Sequence, residues 1–341
     1  MRGFKYVMCL LLGTCMLAGC GGKRDISEDT LTLGAYTVPK EVYQRELIPR
    51  FQRIWKEKTG RDLHVRQSYM ASGAQSRAIA RGFEADIAAL SLEADIERLR
   101  TEGLISHDWR KDEYRGFVTN SIVVMVTRPG NPKGIRDWSD LIRQDVDVLY
   151  PSPKTSGGAM WVVNAIYGSS LKRTLLETGV ADDVAAGKFL AALQARVRVM
   201  NKSGRASVTT YETGVGDVLL TYENEALLRQ RQGKAFPFIV PDATILIENP
   251  IAVVDANVDR HGNREAAEAF VGFLRSPEAQ RCFARYGFRP VDADIAAEFS
   301  DAFPKPLHLF DIRFLGGWPR VSELLYGKNG VWTGIFERKG V

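Results

Sequence analysis

The chain is organised around Asp147-Val148-Leu149-Tyr150-Pro151-Ser152-Pro153-Lys154-Thr155-Ser156-Gly157-Gly158-Ala159-Met160-Trp161. A short apolar run ends in a proline-broken turn and passes through Ser156-Gly157-Gly158. It then enters a segment, Ala159 to Tyr167, whose apolar residues recur at helical spacing. The order is strand, loop, helix. Ser156 is placed to cap that helix, and the glycines leave main-chain N–H groups uncovered at its positive end, where a small dianion is stabilised. On its own, Ser-Gly-Gly reads as no more than an N-cap and a turn. Similar loops elsewhere in the chain give it weight.

Toward the N-terminus, Leu31 to Tyr36 is a short strand, followed after Thr37-Val38-Pro39 by a helix with Leu47, Ile48, Phe51, Ile54 and Trp55 on one face, ending at Gly60. Leu63 to Gln67 is a second strand, which leads through Ser72-Gly73 into a helix from Ala74 to Arg81. Ile87-Ala88-Ala89-Leu90 is a wholly apolar strand of the parallel-sheet kind, and the helix after it stops at Gly103. Toward the C-terminus, the order continues with a helix over Ala181 to Arg196, a strand Val197 to Met200, the loop Asn201 to Ser207, and a strand Val218 to Tyr222. Strands alternating with helices predict a doubly wound α/β architecture, with ligands bound beyond the carboxyl ends of the strands.

Two strands are candidates for crossing between lobes: Ser121 to Thr127, and Ile245 to Val254, the latter interrupted by Asn249-Pro250. They divide the chain into residues 31–120 and 250–341 as lobe 1, and 121–249 as lobe 2, with a hinge beneath an interlobe cleft. Asn263 to Leu274 is a helix, and Ser276-Pro277-Glu278 starts another that Gly287 closes. The remainder reads as irregular, with apolar anchors packing across the lobes.

A length of 341 residues suits two lobes with real cores, and a net charge of +5 with basic and acidic residues interspersed gives no nucleic-acid groove. Residues 1–19 read as an export signal, with Arg2 and Lys5 ahead of an apolar core from Tyr6 to Leu17. Leu17-Ala18-Gly19-Cys20 resembles a bacterial lipobox, which implies cleavage before Cys20 and a diacylglyceryl group on its sulfur. Residues 20–30 read as a tether. Cys9 and Cys15 leave with the signal, so Cys282 stands alone and no disulfide is expected. His64, His107, His261 and His308 lack ligand spacing, so no metal or cofactor is expected. With no Gly-x-Ser-x-Gly elbow, no base to nominate for Ser156 and no P-loop ending after Ser156-Gly157-Gly158, no enzyme chemistry is expected either. Lys154 and Arg205 flank the loops as solvated charges that can also steer an anion.

With its loops in view, the chain closely resembles the periplasmic sulfate-binding proteins of bacterial ABC importers. The matching stretches run from Tyr36 to Trp318. They include Arg66-Gln67-Ser68 with Ser72-Gly73, Gly130-Asn131-Pro132-Lys133, Ser152 through Ala159, Gly214-Val215-Gly216-Asp217-Val218, Glu223-Asn224-Glu225-Ala226, Ala302-Phe303-Pro304 and Gly316-Gly317-Trp318. The resemblance implies a two-lobed periplasmic-binding-protein fold of type II, each lobe a mixed, mostly parallel sheet flanked by helices. It also implies that a dehydrated sulfate, or thiosulfate, is held by neutral donors: hydroxyls of Ser72 and Ser156, and N–H groups of Gly157 and Gly158. Three positions depart from the family pattern. Thr37 follows Tyr36 where the family has an acid, which leaves a main-chain donor. Tyr222 stands in place of an indole donor. Counting back from Gly214 puts the last main-chain donor near Ser203.

The implied partners are an ABC permease and ATPase complex, with the membrane reached through the lipid on Cys20 and the protein itself a monomer. Three alternatives stay open from the residues: another tetrahedral oxyanion such as molybdate or phosphate, an anion-sensing lipoprotein without transport, and an extracytoplasmic enzyme on the same fold.

Overall fold

Alternating apolar and turn segments condense into ten strands in a computed structural model that describes residues 30–338; the proposed signal, Cys20 and nearly all of the tether lie outside the described residues. The strands are β1 (Thr30–Tyr36), β2 (His64–Met70), β3 (Ile87–Ala89), β4 (Phe117–Thr127), β5 (Val148–Leu149), β6 (Val197–Val199), β7 (Val218–Tyr222), β8 (Phe238–Ile239), β9 (Ala243–Val253) and β10 (His308–Phe310). Their spatial order is β2-β1-β3-β9-β4-β7-β5-β6, with β10 on β9 and β8 on β4. Two parallel groups result, β2-β1-β3 and β7-β5-β6.

The long strands β4 and β9 join these groups. Each has 11 residues, roughly 36 Å of extended chain. Residues 117–122 of β4 pair with β9, while 123–127 pair with β7. Similarly, β9 pairs with β10 at its start, β4 in its middle and β3 at its end. The expected interruption at Asn249-Pro250 does not occur. Pro250 sits where the β4 register slips between Phe117 and Thr119, so its missing N–H falls at a step in the ladder.

Helices cover both faces. Phe51 of the Ile48–Thr59 helix packs edge-on against Phe270 and tilted against Phe273 and its own neighbour Trp55, while Ile54 lies at the exposed rim. The Gly157–Thr178 helix is apolar nearly all round and buries most of its length, which identifies it as the central helix of the second lobe. Against expectation, the end of the chain is mostly helical, with helices Ala293–Glu298, Gly317–Tyr326 and Val331–Arg338. The last two return to the second lobe. Trp318 meets Trp161 edge-on at 4.9 Å between ring centroids, and Tyr326 hydrogen-bonds Met160 and Asn164.

Candidate functional site

The carboxyl ends of β1, β2, β3, β5, β6 and β7 converge where the two parallel groups face each other. Parallel strands point their last carbonyls, and the helix starts that follow them, to one edge. At the centre stands the first turn of the Gly157–Thr178 helix. Ser156 occupies the N-cap position, yet its side chain makes no cap bond, and among the described residues its hydroxyl has no hydrogen-bond partner although the residue is only 4% exposed. Gly157 and Gly158 hold the first two helical positions, whose N–H groups have no acceptor within a helix.

Both glycines are required by close approach. A Cβ on Gly157 would lie 2.4 Å from Ser91 Oγ and 2.8 Å from Leu92 Cγ, both on the opposite lobe. On Gly158 it would lie 2.7 Å from Cε2 of Tyr222. The lobes are therefore in contact, as is also seen where Arg77 donates to the Lys154 carbonyl at 3.3 Å.

Across from the helix, Ser72 is buried at the start of its own helix and its hydroxyl is fully engaged. It donates to Asp95 Oδ2 at 2.6 Å and accepts the Ser91 N–H at 2.9 Å. Asp95 is in turn paired with Arg98 at 2.9 Å. Tyr222, the last residue of β7, donates its phenol proton to Ser91 Oγ at 3.0 Å. Burial raises the Tyr222 pKa, only partly offset by the Ser91 hydrogen bond, so the phenol stays protonated and remains a donor. Trp161 is a packed core residue whose Nε1 donates to the Ser91 carbonyl at 2.8 Å.

Thr37 and Ser203 face each other through their neighbours. A Cβ on Gly204 would sit 3.7 Å from Val38 Cγ2. The Ser203 hydroxyl accepts from Ala206 N at 3.2 Å and so serves as a cap, while the N–H groups of Thr37 and Ser203 make no hydrogen bond among the described residues. Thus the structure brings all seven predicted positions to one interlobe region.

Of the two flanking charges, Lys154 stays exposed, whereas Arg205 is held in ion pairs. Arg205 pairs with both oxygens of Glu41 on the first lobe, reaches the Val38 carbonyl at 3.2 Å, and bonds Glu225 Oε1 at 3.3 Å. Glu225, fully buried, also receives Arg229 at 2.7 Å. Burial alone would raise the Glu41 carboxyl, but the hydrogen bond and charge of Arg205 outweigh it and hold the group below its ordinary range. Lys154 lies 4.0 Å from the centroid of the Phe336 ring. Ser91, Asp95 and Glu41 escape the sequence reading, and Glu225 enters it only within a matching stretch, with no role assigned. Ser91 alone carries a usable signal, since it too follows a strand and precedes a helix.

The family described as bacterial extracellular solute-binding protein matches residues 31–289. The sulfate-binding protein of Synechococcus elongatus is 40% identical, covering 96% of this chain and 95% of its own. The thiosulfate-binding protein of Pseudomonas aeruginosa is 33% identical over 93% of this chain and 94% of its own. Among solved structures, the sulfate-binding protein of Mycobacterium tuberculosis superposes with a TM-score of 0.80 at 40% identity, covering 87% of this chain and 99% of that one.

Proposed function

The chain belongs to the bacterial extracellular solute-binding proteins, in the sulfate/thiosulfate-binding family of ABC importers, and from that premise we propose that it captures sulfate or thiosulfate between its lobes and delivers it to an importer. The observation that carries this reading is the Ser156 hydroxyl: without a partner among the described residues, on a residue only 4% exposed, and set beside two glycines at the positive end of a 22-residue helix. Around it stand further neutral donors, the N–H groups of Thr37, Gly157, Gly158 and Ser203, and the one O–H that the hydrogen-bonded hydroxyls of Tyr222 and Ser91 leave unspent. The Ser72 hydroxyl joins them only by exchanging Asp95 for the anion.

The chemistry of the donors selects the ligand. Sulfate is fully ionised at neutral pH and only accepts hydrogen bonds, whereas phosphate keeps a proton there and needs an acceptor. The nearby carboxylates are already occupied, Asp95 by Ser72 and Arg98, and Glu225 by Arg205 and Arg229. A phosphate proton left unpaired in a buried site costs about 1–3 kcal/mol, roughly a ten- to hundredfold preference for the proton-free anion.

Binding and lobe closure about β4 and β9 then constitute the whole activity, with residues 31–120 and 250–341 on one side of the hinge and 121–249 on the other. No residue is assigned a catalytic role. After export, a lipid on Cys20 tethers the monomeric protein outside the cytoplasm, beside the permease and ATPase that recognise its closed form. Ser156→Ala tests the site. Sulfate affinity measured by tryptophan fluorescence is expected to fall by about tenfold or more, with unfolding unchanged. Wild-type affinity in that variant would sink the assignment.

A further inference from the structure

We propose that Lys40, Arg77, Lys154 and Lys202 form a cationic rim around the cleft that draws the oxyanion in from solution and sets its association rate, separately from the neutral donors that hold it. The inference rests on the reading of the cleft as an oxyanion site, and it adds a kinetic role that none of those donors supplies.

Each of the four follows a strand whose carboxyl end reaches the cleft. Lys40 opens the first helix after β1, and Arg77 lies in the Ser72–Ala80 helix after β2. Lys154 precedes the Gly157–Thr178 helix after β5, and Lys202 precedes the Gly204–Glu212 helix after β6. Contacts tie them into one arc. The Lys40 Nζ lies 5.8 Å from the centroid of the Tyr69 ring, near the end of β2. Arg77 donates to the Lys154 carbonyl at 3.3 Å, and the Lys202 carbonyl accepts the hydroxyl of Thr155, the neighbour of Lys154, at 2.8 Å. The three lysines are exposed and Arg77 is half-buried.

These cations are held differently from those deeper in the cleft. Arg98 is paired with Asp95, and Arg205 with Glu41 and Glu225, so their charge is already answered. None of the four rim cations pairs with a carboxylate among the described residues. Their contacts are neutral: ring faces for Lys40 and, at 4.0 Å, for Lys154, and a carbonyl for Arg77. A ring face or a carbonyl places a cation without cancelling its charge. The acid next to Lys40 in the chain, Glu41, is spent on Arg205. A dianion feels each rim charge with twice the force a monoanion does, over a reach of about 30 Å at 0.01 M salt and about 8 Å at 0.15 M. Uncancelled charges grouped at a cleft mouth guide such an ion inward, and they favour the doubly charged anion over a singly charged one.

The test is stopped-flow tryptophan fluorescence of the mature protein mixed with sulfate, in sodium chloride at about 0.01 M and about 1 M, where screening shortens to about 3 Å. Lys40→Gln, Lys154→Gln and Lys202→Gln combined are expected to lower kon about tenfold at low salt and to leave it within about twofold at high salt, with koff unchanged. Lys202→Gln alone is expected to lower it about twofold at low salt. Lys58→Gln, the same charge change at the far end of the Ile48–Thr59 helix, is expected to leave kon at the wild-type value. Wild-type kon in the triple variant at low salt would overturn the proposal, as would a loss that persists at high salt, a loss carried by koff, or an equal effect of Lys58→Gln. A wild-type protein that binds no sulfate by calorimetry would instead overturn the reading of the cleft on which the proposal rests.

Discussion

Gly157 and Gly158 occupy neighbouring positions in one helical turn, yet they answer to different constraints. Helical glycine costs about 1 kcal/mol relative to alanine, so each persists where a methyl group has no room. At Gly157 the obstacle belongs to the opposite lobe, Ser91 and Leu92; at Gly158 it is Tyr222, on the same lobe. Gly157→Ala is therefore expected to hold or raise the melting temperature of the anion-free protein while abolishing tight anion binding. Gly158→Ala is expected to lower both. Melting and titration of the two variants decide this, and equal behaviour would contradict it. The Ser-Gly-Gly turn was legible in the sequence because hydroxyl and glycine sit together ahead of a helical pattern. Ser91 was passed over, because it lies between Leu90 and Leu92 and reads as the tail of a strand, although it shares the turn's place between a strand and a helix. Its surroundings are set by Ser72, Trp161 and Tyr222, which only folding brings to it.

At the scale of elements, strand-end loops were readable because each sits at a change of hydrophobic period. The passage of β9 through Asn249-Pro250 was hidden, since a proline argues against a strand unless the partner's register slips beside it. The helices at the end of the chain were hidden by the glycines and prolines among their apolar positions. The Gly204–Glu212 helix carries a contact that no local pattern displays: Arg205 lies 164 residues from Glu41, which it clasps across the cleft. Because the folded Glu41 carboxyl sits below its ordinary range, this clasp stabilises the closed form above about pH 4.3 and is lost as pH falls through the depressed value. Arg205→Ala leaves Glu225 buried with Arg229 alone. The variant is expected to bind the anion more weakly and to lose part of the acid dependence of wild-type binding. A pH titration of affinity that superposes on wild type after scaling would contradict the clasp.

For the whole molecule, β4 and β9 join the two parallel groups and the end of the chain packs on the Gly157–Thr178 helix, which leaves the six strand ends as the faces that, on the proposed reading, close on the anion. The proposed function follows from what those faces offer: hydroxyls and amides in excess, with Arg98 and Arg205 already held by carboxylates. The most direct measurement is calorimetric titration of the mature protein with sulfate and, separately, with phosphate at pH 7.5. The account predicts saturable one-to-one sulfate binding and phosphate weaker by about tenfold or more, the cost of an unpaired proton in a site without a free acceptor. Phosphate bound as tightly as sulfate, or sulfate not bound at all, would contradict it.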